Sequence, residues 1–269
     1  MKKYISKIYI SIILLLFYTP ILYVVIFSFN ESRSLNKFTG LSLQWYQQMF
    51  NNRVMMESIY YTIIVAILAT LISTIIGTLA AIGLSKSKKI LKELVIQVNN
   101  LPILNPEIVT AIGLMLLFVS FNIQRGFITL LLAHTAFCTP YVILSVLPKL
   151  RTLDPNLAEA ALDLGAKPTY ALYKIVIPQI IPGILSGALI AFTMSFDDFI
   201  ISYFTTGPGI NTIATYVYAS IKRINPSINA LSSIIVLVIT VVLIIVNVSP
   251  IYLEKRRNKH EKITNYSSY

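Results

Sequence analysis

The chain has 269 residues, of which 56% are hydrophobic and 12% charged, with a mean hydropathy of +0.74. These values exclude an ordinary soluble domain and place the chain among polytopic membrane proteins, read as one domain over residues 1–269. A net charge of +11 would suggest nucleic acid for a soluble protein, but basic residues in membrane proteins mark the cytoplasmic side, so their distribution decides and no nucleic-acid partner is expected.

Lys2, Lys3 and Lys7 precede an apolar run over residues 8–29. At about 22 residues it is long enough to span a bilayer. No small-x-small site follows it, so it reads as an uncleaved span rather than a signal peptide. Five more spans are expected over residues 58–84, 104–121, 127–147, 180–204 and 230–253. Six spans place both termini on one side. Lys and Arg number sixteen on the face formed by the N-terminus, the segment after the second span, the central loop and the tail, against six on the opposite face. That asymmetry predicts cytoplasmic termini. On the other face, residues 30–57 are polar, with Trp45 and Tyr46 suited to the membrane–water boundary. Residues 205–229 open on the turn signal Thr206-Gly207-Pro208-Gly209, and 212–223 suits a short amphipathic helix.

Chemistry of the soluble-enzyme kind is nearly absent. The sequence contains no Gly-x4-Gly-Lys-Ser/Thr phosphate loop, so no ATP hydrolysis is expected of this chain. His134 and His260 are isolated and suggest no metal site. His134, near Thr135 and Thr139, reads as a hydrogen-bonded packing residue, and the single cysteine, Cys138, as a small apolar filler.

Acidic residues inside spans are more informative, because a charge at membrane depth is costly and faces a cavity or a partner. Glu107 follows Asn105-Pro106, a helix start in which Asn caps, Pro takes the first position and Glu complements the positive helix end. Asp197-Asp198 lies in the outer half of the fifth span. Treated as one helix, that span aligns Gly183, Gly187, Ala191 and Ser195 in a stripe of small side chains permitting close helix approach, with Asp198 in the stripe and Asp197 about 100° away. The pair predicts a negative lining for a cationic solute, with headgroup contact at the outer boundary as the bland alternative.

The central loop, residues 148–179, is a polar island. Asp154-Pro155 starts a short helix of about ten residues, Gly165 supplies the left-handed closing residue, and Pro168 follows. A second short helix is expected to end near Pro178.

Within this island, Glu159-Ala160-Ala161, Gly165 and Ile175-Val176-Ile177-Pro178 reproduce the spacing Glu-Ala-Ala-x3-Gly-x9-Ile-x-Leu-Pro, with Ile177 in place of Leu. The pattern resembles the cytoplasmic coupling motif of permease subunits of bacterial ABC importers. Asn105-Pro106-Glu107-Ile108-Val109, Ala133–Cys138, Thr193–Phe199, Thr206-Gly207-Pro208 and Asn225–Leu231 narrow the resemblance to the spermidine/putrescine permeases. The resemblance implies an all-α integral membrane protein with the type I ABC importer permease fold, in a bacterial cytoplasmic membrane. It implies a sister permease, two ABC ATPase subunits that bind ATP and Mg²⁺, and an extracytoplasmic polyamine-binding protein. No cofactor is expected in this chain. The first short helix, with Glu159, Ala160, Ala161, Asp163, Gly165 and Pro178 as the coupling residues, would dock on the ATPase. By their charge and position, and not by the motif, Glu107, Asp197 and Asp198 would border the polyamine path. An importer for another cationic solute, and an ATP-independent channel or scaffold, are the alternatives.

Overall fold

The computed structural model describes residues 2–34, 36–221, 225–242 and 244. The described residues are helical apart from loops and one isolated antiparallel bridge between Asn30 and Leu41. They fall into two units, residues 1–53 with 220–269 and residues 54–219.

The first unit holds α1 (Lys2–Phe27), α2 (Gln44–Asn51) and α12 (Ser227–Val242). The Asn30 side chain organises the loop between α1 and α2. Its Nδ2 donates to the carbonyls of Ser34 and Lys37, both at 2.9 Å, and its Oδ1 accepts from Thr39 N at 2.9 Å. Trp45 is buried and its indole N–H donates to the Asn30 carbonyl. Tyr46 Oη lies 2.7 Å from Ser28 Oγ and donates to Ser233 Oγ at 3.2 Å, tying α12 to α1 and α2. Trp45 therefore serves the packing of this unit, because its one polar atom has a partner inside the protein. The amphipathic α2 was hidden in a segment that reads as a polar loop. The sixth expected span, 230–253, is described only through its first half. The basic tail and His260 lie outside the described residues, as do Lys222 and Arg223.

The second unit runs from α3 (Arg53–Ser85) through α4 (Lys89–Leu104), α5 (Glu107–Ser120), α6 (Phe127–Arg151), α7 (Pro155–Asp163), α8 (Pro168–Ala171), α9 (Ile177–Phe196), α10 (Ile200–Thr205) and α11 (Ile213–Ser220). Helix α6 is its spine, burying Leu130, Ala133, His134, Phe137, Cys138, Val142 and Val146 among others. The small-residue stripe of α9 packs antiparallel along it. A Cβ on Gly183 would meet Lys149 Cγ at 2.8 Å, and one on Gly187 would meet Val142 Cα at 3.2 Å. One turn further, Cys138 Sγ donates to the Ala191 carbonyl at 3.4 Å, and Ser195 meets His134 at 2.7 Å. The four small residues are buried. Their spacing of four keeps them on one helix face, which lets the two backbones approach without a hydrophobic drive that lipid would not provide.

Four described helices are long and apolar enough to cross a membrane, or five if α4 and α5 form one bent span. Two expected spans have a different internal structure. The third is not a helix started by a capping Asn105. Asn105 ends α4 in extended backbone with ψ 148°, Pro106 is extended as well, and α5 starts at Glu107, leaving a bend of 106° between the two helices. A residue before proline is pushed out of the helical region, which explains the break. The fifth is not continuous over 180–204 but stops at Phe196 and restarts at Ile200.

Candidate functional site: the hairpin and the helix break

Sequence places candidate residues in two regions, and the structure keeps them apart in chain position while joining them through one helix. The first is the α7–α8 hairpin. Asp154 caps α7, its Oδ1 accepting from Asn156 N at 2.9 Å, with Pro155 in the first helical position. At the other end Gly165 has φ +83°. Ala166 N donates to the Ala161 carbonyl at 3.0 Å and Gly165 N to the Leu162 carbonyl at 2.9 Å, the paired bonds of a left-handed helix close. Nothing lies within 4 Å of a Cβ built on Gly165, so the demand for glycine there comes from backbone conformation alone.

Glu159, Ala160, Asp163 and Gly165 are exposed and Ala161 is partly so. Beside them Leu162, Leu164, Tyr170 and Tyr173 also leave much of their apolar surface open, Leu164 being 89% exposed. Leu164, Ala166, Lys167, Tyr170, Tyr173 and Lys174 line an open concavity of about 700 Å³. A polar hairpin with an apolar outer face has the composition of a docking surface.

The second expected helix does not end at Pro178. From Pro168 the chain continues through a π turn at Leu172–Val176 into α9, in one 29-residue helical stretch ending at Phe196. Ile177 N donates to the Leu172 carbonyl. Pro178 cannot donate to the carbonyl four residues back and its ring crowds that group, so the wider turn just ahead of it relieves the conflict. α8 and α9 are thus one continuous helical stretch, and the turn at Gly165 joins α7 to it.

The second region is the break after α9. Asp198 is 8% exposed. Its Oδ1 accepts from Ile201 N at 3.2 Å and its Oδ2 from Ser202 N at 2.7 Å, satisfying free amides of the first turn of α10. An aspartate that takes such amides ends one helix and starts another. Asp197 closes α9, its N–H donating to the Thr193 carbonyl at 3.3 Å, and it is exposed. The two carboxylates therefore differ: one is buried and fully engaged, the other open. Glu107, exposed at the start of α5, lies within electrostatic reach of both, and α5 packs against α10.

Two features escaped the sequence reading. Phe199, Tyr203 and Tyr218 form a mutual ring cluster beside the acidic pair, with centroid separations of 5.5 Å (Phe199–Tyr203), 4.8 Å (Phe199–Tyr218) and 5.6 Å (Tyr203–Tyr218). The first two rings are four residues apart, a pairing the sequence could have suggested; Tyr218 comes from a distant helix. The other feature is the environment of His134. Thr135 and Thr139 donate to backbone carbonyls of α6, at 2.8 and 2.7 Å, and do not partner it. Its partners are Ser195 at 2.7 Å and Ser202 at 3.0 Å, with Asp198 Oδ2 at 3.4 Å from Nε2. Cys138 is buried, as expected for a filler. No group of three or more metal-ligating side chains occurs among the described residues.

Comparison with known proteins finds relatives along most of the chain. The family model for the binding-protein-dependent transport system inner membrane component matches residues 73–259. The putrescine transport system permease protein PotI of Escherichia coli (strain K12) is 37% identical over 81% of this chain and 80% of its own length. The spermidine/putrescine transport system permease protein PotC of Haemophilus influenzae is 34% identical over 90% of this chain and 93% of its own. A solved chain from a bacterial ABC transporter involved in the import of the acidic polysaccharide alginate shares the fold, with a TM-score of 0.69 at 16% identity over 93% of this chain and 95% of that one. The chain is a multi-pass membrane protein that belongs to the binding-protein-dependent transport system inner membrane component family.

Proposed function

We infer that the chain is a permease subunit of an ATP-driven importer for polyamines, with spermidine and putrescine as substrates. The observation that carries this reading is the similarity, across 81% and 90% of the chain, to permeases named for putrescine and for spermidine/putrescine transport. Its partners are a sister permease, two ABC ATPase subunits and an extracytoplasmic polyamine-binding protein. ATP and Mg²⁺ bind the ATPase, and this chain holds no cofactor. It resides in the bacterial cytoplasmic membrane with six spans. The excess of Lys and Arg puts both termini and the hairpin on the cytoplasmic face.

In this account α7 docks on the ATPase through Glu159, Ala160, Ala161 and Asp163. Small side chains at Ala160 and Ala161 allow close approach, and the Glu159 carboxylate pairs with a basic group. Gly165 fixes the angle at which the chain leaves α7. Motion of the hairpin passes through the π turn and Pro178 into α9, because that stretch is helical without interruption, and α9 carries it along its contact with α6 to the break at Asp197-Asp198. There Glu107 and Asp197 offer negative charge to an alkylammonium group, while Asp198 holds the break. The Phe199, Tyr203 and Tyr218 rings present faces that attract ammonium groups by cation–π interaction. A positively charged solute thus meets carboxylates and π faces.

The test is uptake by a bacterial strain whose own polyamine importers are deleted, given this chain with its partner subunits. Labelled spermidine and putrescine should accumulate only when the chain is present. Accumulation of neither polyamine, with the complex assembled, would contradict the assignment.

A further inference from the structure

Helix α6 meets the broken helix at three polar contacts, and the middle one is unlike the others. At one side Cys138 Sγ reaches the Ala191 carbonyl, and at the other Thr129 Oγ1 donates to the Thr205 carbonyl at 2.8 Å. Each joins α6 to a single helix. Between them His134, 1% exposed, touches both sides of the break at once: Nδ1 lies 2.7 Å from Ser195 Oγ on α9, and Nε2 lies 3.0 Å from Ser202 Oγ on α10. Ser195 is the last residue of the buried small-residue stripe, and Ser202 belongs to the turn whose amides Asp198 holds.

One proton arrangement satisfies every group with a neutral imidazole. Ser195 O–H donates to Nδ1, Nε2–H donates to Ser202 Oγ, and Ser202 O–H donates to the Asp198 carboxylate. The chain of bonds runs from α9 through α6 to α10 and ends on the carboxylate that caps α10. An apolar residue at position 134 would fill the space but leave the Ser195 hydroxyl without its acceptor and Ser202 Oγ without its donor. Simple packing does not call for an imidazole here: a buried ionisable side chain some 10 Å into a membrane helix is costly.

We propose that His134 is a positioning residue for transport, a bracket that fixes α9 and α10 at a set angle across the Asp197-Asp198 break. It acts through Ser195, Ser202 and Asp198 and touches no solute. By holding both helix ends it keeps the open Asp197 carboxylate and the Phe199–Tyr203 rings in one arrangement, so that motion entering along α9 changes the break as a unit. This rests on the reading of the break as the border of the polyamine path.

The experiment uses the complete importer, with this chain, its sister permease, the ATPase subunits and loaded binding protein, in proteoliposomes. Two quantities are read: the amount of assembled complex, and the number of spermidine molecules moved per ATP hydrolysed. His134→Ala is expected to lower the ratio about tenfold, the size expected for losing a buried hydrogen-bond network. His134→Gln, which still reaches Ser202, should recover at least half of that loss on a logarithmic scale. Combining His134→Ala with Ser202→Ala should add nothing further, since both cut the same chain. A lower yield of complex with an unchanged ratio would assign His134 a role in stability alone and overturn the proposal. If His134→Ala does not assemble, Ser202→Ala decides, and an unchanged ratio there overturns it equally. Asp197→Asn separates the two readings: if it leaves uptake unchanged while His134→Ala lowers the ratio, the path assignment fails and the bracket stands. The reverse pattern removes the bracket alone.

Discussion

Val142 on α6 occupies the space that a side chain at Gly77 on α3 would need: a Cβ there would lie 2.7 Å from Val142 Cβ. Gly187 of α9 packs against the same valine, a Cβ there lying 3.2 Å from Val142 Cα. Two glycines thus bring α3, α6 and α9 together around one β-branched side chain. Gly77→Ala should cost about 1–3 kcal/mol by overpacking. Gly83→Ala, on the same helix with nothing within 4 Å, should be neutral or stabilising by up to about 1 kcal/mol through helix propensity. Thermal unfolding of the detergent-solubilised importer checks the contrast, and equal midpoints for the two variants would contradict the packing described here.

Gly165 is the second glycine with a stated requirement, but of another kind. Its φ of +83° in open space means that Gly165→Val should strain the backbone by about 1–2 kcal/mol without any clash, and the chain would leave α7 at another angle. Polyamine uptake should fall to near background while membrane insertion stays intact. Gly165→Asn should retain much of the activity, because asparagine tolerates the left-handed region. Uptake measured beside an immunoblot of the membrane fraction separates the two effects.

Asp154 offers a test of the hairpin that leaves its surface untouched. Removing the carboxylate in Asp154→Ala should destabilise the start of α7 by about 1 kcal/mol. Hydrogen exchange at the amides of residues 156–160 should quicken accordingly, and coupled ATP hydrolysis should fall. Asp154→Ser keeps a capping oxygen and should restore both.

The two neighbouring aspartates should part company on substitution. Asp197→Asn removes an exposed charge, so spermidine uptake should drop about tenfold, roughly 1.4 kcal/mol, with the melting temperature of the complex unchanged. Asp198→Asn puts an amide where the carboxylate accepts from Ile201 and Ser202. The resulting loss of about 1–3 kcal/mol from an unpaired buried group should lower the melting temperature. Measuring uptake and melting temperature on both variants makes the distinction visible, and matched behaviour of the pair would contradict it.

The parts of this molecule legible in sequence were those written in local chemistry. Asp154-Pro155 and Gly165 announced the ends of α7 because caps and left-handed closes draw on a few residue types. The stripe Gly183, Gly187, Ala191, Ser195 announced a close helix contact through its spacing. The break at Asp197-Asp198 was not legible, because residues 180–204 are apolar almost throughout and hydropathy records only the total. What breaks the helix is a side chain that competes for two amides, a choice made by tertiary surroundings. His134 and Ser202 are 68 residues apart, and no local rule links them. The bend at Asn105-Pro106 was read as a helix start for a related reason: a proline signals either a first turn or a stop, and here it marks a junction between two helices.

The central claim is that this chain moves polyamines at the expense of ATP hydrolysed by another subunit. Its most direct test is labelled spermidine uptake into proteoliposomes holding the assembled importer, with loaded binding protein on one face and ATP on the other. Uptake should require ATP, stop with a non-hydrolysable analogue, and compete with unlabelled putrescine. Spermidine entry at the same rate without ATP would make the chain a passive channel and contradict the account.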